Sequence, residues 1–126
     1  MLYMLLLYWN ENDPSEDDTI PEHFKFTDAA RERNAYVYSE ALGGTAAATT
    51  VRPAVGKVTA TDGPYLETKE VIGGFYVLDC QDLDDAIAQA SAIAEFSKSP
   101  VEIRPVMDVP GWDYGPSTGR QRHAMG

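Results

Sequence analysis

The chain is poor in the residues that most often carry chemistry. It has one cysteine, Cys80, so an internal disulfide and a cysteine-rich zinc site are both excluded. Cys80 closes an apolar run, which predicts a reduced, packed thiol. There are two histidines, His23 and His123, too few for a multi-histidine metal centre. Basic residues number 10 against 20 acidic ones, a net charge of −10. Nucleic acid and anionic membrane surfaces need a basic footprint, so neither is expected as a partner. The first apolar run, Met1 to Trp9, is too short to span a bilayer. It has no basic flank and runs straight into acidic sequence, unlike a signal peptide. A cytoplasmic location is the expectation. No nucleophile elbow or glycine-rich phosphate loop is present. Gly73-Gly74 is too short for a phosphate cradle and precedes a strand instead of a helix. No cofactor and no metal are expected.

What remains is enough for one domain. A length of 126 residues with 44% hydrophobic content supports a real core, and wholesale disorder does not fit that composition. Leu2 to Trp9 reads as a central strand buried on both faces. Asn10 to Asp18 is an acidic connector without the spacing of a calcium loop. Thr19-Ile20-Pro21-Glu22 predicts a helix start through a capping box, with the helix running about Pro21 to Arg33 and ending at Asn34 in a left-handed conformation. Phe26, Ala30 and Arg33 share one face of it, with Phe24 nearby.

Tyr36 to Leu42 predicts a second strand, interrupted by a bulge or bend at Gly43-Gly44 and resuming from Ala46 to Arg52. Pro53 to Gly56 is a turn, and Lys57 to Thr61 pairs back as a hairpin arm. Gly73 to Cys80 is the next strand. Asp82 caps a second helix whose stripe of Leu83, Ala86, Ile87, Ala90 and Ala94 should face the core. That helix ends near Pro100, and Val101 to Arg104 alternates as a strand with one wet face. Residues 1–107 form the domain. Residues 108–126 form a polar tail that Trp112 and Tyr114 could anchor, across a subunit interface. The order is the β-α-β-β-α-β pattern of a ferredoxin-like α+β split fold with an extra hairpin. Helices then cover one face of the sheet, and a second copy is the economical cover for the other, so a homodimer is expected.

Around this frame stands Asp62-Gly63-Pro64-Tyr65, a tight turn, followed by Glu67-Thr68-Lys69-Glu70 and Gly73-Gly74-Phe75-Tyr76. With Tyr3 to Tyr8, Glu40-Ala41-Leu42, Ala48 to Arg52 and Val101 to Met107, these segments resemble the DGPF group of YCII-related proteins. The likeness runs from about Leu2 to Met107, with Tyr65 where phenylalanine is usual. It implies a dimeric α/β-barrel of ferredoxin-like subunits and no settled activity. Some relatives are joined to sigma-factor-like regulators, which implies a sensing role for those. Members of the wider group carry a histidine on the first helix, followed by an aromatic, with an aspartate close to it. Pro21-Glu22-His23-Phe24-Lys25-Phe26 resembles that segment, and the resemblance carries the histidine to His23 and the aspartate to Asp62.

A His-Asp pair is chemically sensible, because the carboxylate fixes one imidazole nitrogen and leaves the other as a base near neutral pH. Against this, histidines are common on exposed first turns, and Asp62 is explained by its turn alone. Tyr65, Lys69 and Arg104 are the candidate ligand-binding residues. Glu67 and Lys69 equally suit a surface ion pair, and Arg104 could hold an anion or a salt bridge. His123 is incidental. Two functions remain in view. One is a small enzyme transferring a proton on a carbonyl- or lactone-like small molecule, with His23 as base and Asp62 orienting it. The other is a non-catalytic ligand-binding or regulatory dimer using the same cleft.

Overall fold

The structure is a computed structural model that describes residues 1–13 and 18–112. The expectations placed on the middle of the acidic connector, on Tyr114 and on His123 lie outside those residues. Elements follow the anticipated order: β1 (Leu2–Trp9), α1 (Ile20–Glu32), β2 (Tyr36–Ala41), β3 (Thr49–Ala54), β4 (Lys57–Asp62), β5 (Val71–Asp79), α2 (Leu83–Ser97) and β6 (Val101–Pro105). A four-stranded antiparallel sheet runs β2-β5-β1-β6, and β3 with β4 forms a separate two-stranded arm. With that arm set aside, β1-α1-β2-β5-α2-β6 is an α+β split arrangement compatible with a ferredoxin-like fold.

Strand alternation decides which side chains reach the core. Tyr3 and Leu5 of β1, Tyr76 and Leu78 of β5, Phe26 and Ala30 of α1, and Ala86, Ala90 and Ile93 of α2 form one buried cluster. Leu5, Leu78 and Ile93 are fully enclosed, each stabilising the fold by about 1.5–3 kcal/mol relative to exposure. The neighbouring positions Leu2, Met4 and Leu6 alternate to the opposite face and stay partly exposed. β1 is therefore central, as anticipated, but buried on one face where two were expected. Both helices pack on the same side of the sheet.

Several local expectations change. Thr19 makes no side-chain cap to α1; the amide of Ile20 donates instead to Asp18 Oδ1 at 3.0 Å. The buried stripe of α2 is Ala86-Ala90-Ile93, while Leu83 and Ile87 are exposed. The i, i+4, i+7 spacing of the buried residues puts two alanines against the sheet, which lets the helix approach closely. Asp82 does cap α2, its carboxylate accepting from the Asp85 amide at 2.8 Å. Asn34 and Lys98 take the left-handed conformation after the two helices, with φ of 59° and 57°.

Gly43-Gly44 is not a bulge. The chain there enters a short 3-10 turn, Thr45–Ala47, where a strand was expected. Glu11 explains the difference, because its carboxylate accepts from both the amide and the hydroxyl of Thr45 and satisfies that turn locally. The bulge lies at Gly73 instead: Leu7 pairs with Gly74 and Tyr8 with Ile72, leaving Gly73 as the extra residue. Pro53, expected in the hairpin turn, sits within β3 opposite Val58. A two-stranded arm is all edge and tolerates a residue without an N–H. Among the described residues, no helix is long and apolar enough to cross a membrane.

Candidate functional site

The site begins with one turn of helix. α1 starts at Ile20, and its first turn brings His23 to the junction of α1, β5 and α2, where the His23 amide donates to the Thr19 carbonyl at 3.0 Å. The imidazole is held by two aromatic residues. Its Nδ1 lies 2.7 Å from the Tyr76 hydroxyl, its ring stacks with Tyr76 at 5.8 Å between centroids, and Phe96 of α2 meets it edge-on at 4.8 Å. Tyr76 is in turn fixed by Phe26, edge-on at 5.1 Å. Two aromatic contacts and one hydrogen bond thus restrict a side chain that an exposed helix start would leave free.

Burial shifts both partners. It pulls the His23 imidazole below its ordinary range, with the charge of Glu22 opposing in part. It raises the Tyr76 phenol to about 12, with Tyr36 adding a smaller push. At neutral pH the pair is therefore a neutral imidazole against a neutral phenol. Two tautomers are consistent with the geometry. Either Tyr76 donates to Nδ1 and Nε2 carries the proton, or Nδ1–H donates to Tyr76 and Nε2 offers a lone pair. Among the described residues, Nε2 has no hydrogen-bond partner.

Two adjoining cavities meet at His23. The first, of about 500 Å³, runs beneath α1 against β2 and β5, with Tyr36, Ser39, Tyr76, Thr27 and Arg31 in its walls. The second, of about 420 Å³, lies toward Trp9, Leu42, Ser97 and Ser99. Leu7, Ile20, Ala41 and Gly73 line both. Ile20 and Phe24, exposed at 55% and 65%, are apolar side chains standing at the cleft and not in the core. A mostly apolar concavity with a few convergent polar groups is the usual form of a small-molecule site.

The other anticipated residues lie elsewhere. Asp62 ends β4 and lines neither cavity, and it is not hydrogen-bonded to His23. The turn after it is secured without its carboxylate: the Gly63 amide donates to Ala48, and the Thr50 hydroxyl donates to the Gly63 carbonyl at 2.7 Å. Gly63 has φ of 107°, which only glycine adopts easily. Tyr65 is 68% exposed and takes the Arg52 guanidinium on its ring at 5.1 Å. Lys69 is exposed, and among the described residues no ion pair joins it to Glu67. Arg104 is on β6, 3.4 Å from Glu102. Tyr76 and Arg31 line the first cavity, and no spacing in the sequence points to either. Tyr76 stood inside an apolar strand run, and nothing in one-dimensional spacing shows that it meets a helix 53 residues away.

Among the described residues, no three His, Cys, Asp or Glu side chains converge as metal ligands. Cys80 is buried, and burial raises its thiol, with the charges of Asp85 and Asp79 adding to the effect. It is not a nucleophile poised at neutral pH.

The profile of the YCII-related domain matches residues 1–110. An uncharacterized protein of Rhizobium meliloti (strain 1021) is 34% identical over 114 residues, covering 84% of this chain and 92% of the relative.

Proposed function

The chain belongs to the YCII-related domain family, and on that footing we propose that it is a small enzyme moving a proton on a carbonyl- or lactone-like compound bound in the His23 cleft. One observation carries the reading: His23 is hydrogen-bonded through Nδ1 to Tyr76 at the meeting point of two cavities, which leaves Nε2 for a ligand. A neutral imidazole held in a fixed plane is suited to take a proton from a carbon next to a carbonyl. Once Nε2 is protonated, Nδ1–H donates to the Tyr76 oxygen, and the positive charge stays within a hydrogen-bonded pair. Tyr76 then has the orienting role that the resemblance assigns to Asp62.

A second copy belongs to the same proposal. Leu2, Met4 and Leu6 are partly exposed on the helix-free face of the sheet, and Val51, Val55 and Val58 are exposed on the β3–β4 arm. An isolated two-stranded arm is marginal in water, so contact with another subunit would support it. The expected result is a dimer by light scattering that a charged substitution at Leu6 weakens.

The activity is tested by proton–deuterium exchange into small ketones and lactones, followed by NMR. Wild type should exchange the carbon-bound protons beside the carbonyl, and His23→Gln should not. The non-catalytic reading is favoured by one feature, that no carboxylate is hydrogen-bonded to His23 among the described residues. Ligand-induced shifts without exchange in any compound would establish it and end the enzymatic reading.

A further inference from the structure

Resting on the cleft reading above, we infer that Arg31 is an anion-anchoring residue of this site, so that the compound it accepts carries a carboxylate as well as the carbonyl handled at His23. Arg31 lines the same 500 Å³ cavity as His23 and Tyr76. His23, Thr27 and Arg31 all line it, at i, i+4 and i+8 along one face of α1, a span of about 12 Å between the first and last Cα positions. The cavity therefore has an imidazole toward one end and a guanidinium toward the other.

The guanidinium is held but not consumed. Its carbon sits over the Tyr36 ring, 4.4 Å from the ring centre, a cation–π contact that holds the group at the cavity wall. Its ion partner is Asp28 at 3.9 Å, with side chains 58% and 75% exposed, a loose surface pair of little strength. A planar fork positioned over an aromatic face, with its N–H edges largely unused, matches the two oxygens of a carboxylate. Arg31 is the single lysine or arginine among the described residues lining either cavity. Glu40 and Asp18 are the carboxylates in their walls; Glu40 accepts from the Tyr38 hydroxyl, and Asp18 accepts from the Ile20 amide. A chain of net charge −10 repels anions at long range. A preference for an anionic compound would accordingly have to come from a local cation, and Arg31 is placed to supply it. Arg104, the arginine that the strand pattern offered for this role, is paired with Glu102 and lines neither cavity.

The probe is δ-acetylvalerate, a keto acid, titrated beside its methyl ester against the full chain and followed by NMR. Wild type should bind the acid about tenfold more tightly than the ester, the size of one charge-assisted pair, and added salt should erode the difference. Arg31→Gln should abolish the preference, and Arg31→Lys should keep part of it, since the charge remains and the fork does not. Arg31 is exposed, so unchanged melting temperatures are expected for both variants. Equal binding of acid and ester by wild type, binding of neither, or a preference that survives in Arg31→Gln would each overturn the inference. His23→Gln separates the two readings. Proton exchange that depends on His23 without acid preference leaves the enzyme standing and removes the anchor, whereas an Arg31-dependent preference without exchange does the reverse.

Discussion

The indole of Trp9 occupies the space into which a side chain at residue 73 would project: a β-carbon on Gly73 would stand 2.7 Å from both Cδ1 and Nε1 of that ring. Gly73 is also the extra residue of the bulge between β1 and β5, and it lines both cavities. The glycine pair therefore has two separate duties. Gly73 makes room for Trp9, while a β-carbon on Gly74 would come within 2.9 Å of the Glu40 carbonyl on β2.

Gly73→Ala should cost about 1–3 kcal/mol, the usual range for overpacking against a rigid neighbour. Urea melts would give the loss, and a changed fluorescence of Trp9 in the folded state, measured in a Trp112→Phe background, would show that the indole has moved. A neutral substitution would mean that the ring swings aside freely.

The His23 imidazole is held below its ordinary range by burial. The unfolded chain then takes up its proton first as pH falls. The stability associated with the neutral ring is complete above the unfolded value of about 6.5 and is lost as pH falls through the lower folded one. The stability of wild type relative to His23→Gln should shrink as pH falls below about 6.5, the unfolded value. A gap that widened toward acid would show that the imidazolium, and not the neutral ring, is the form the fold favours.

Tyr76→Phe removes the hydroxyl 2.7 Å from His23 Nδ1 while keeping the ring packed on Phe26. The expected loss of stability is about 1 kcal/mol. The informative reading is the nitrogen-15 spectrum of His23, whose tautomer balance should change when its partner is gone. An unaltered balance would deny Tyr76 any orienting part.

Cys80 is enclosed, and its thiol is raised by burial. Ellman's reagent should react with it no faster than the chain opens, and at once in denaturant. Rapid labelling of the folded protein would contradict the packing described for this end of β5.

Asp82→Ala should remove the cap of α2 and cost about 1 kcal/mol, because the Asp85 amide loses its acceptor. Asp82→Asn should recover most of that. Thermal melts of the two variants together separate the hydrogen bond from the charge.

The residues by themselves determined the element order, the two helix terminators at Asn34 and Lys98–Pro100, the Asp82 cap and the central place of β1. Each of these depends on neighbours a few positions away: a left-handed backbone that asparagine tolerates, a ring that forbids continuation, a carboxylate three residues from an amide, an unbroken apolar run. His23 was singled out by the family resemblance and not by spacing or composition. The alternation of β1 was hidden because both faces are apolar in sequence, and only the packing of α1 and α2 on one side made Tyr3 and Leu5 core and left Met4 and Leu6 partly open. The partner of His23 was equally out of reach. The family resemblance pointed to Asp62, whereas the sheet brings Tyr76 against the first turn of α1, because side-chain contact across 53 residues is set by register and helix placement and leaves no periodic trace along the chain.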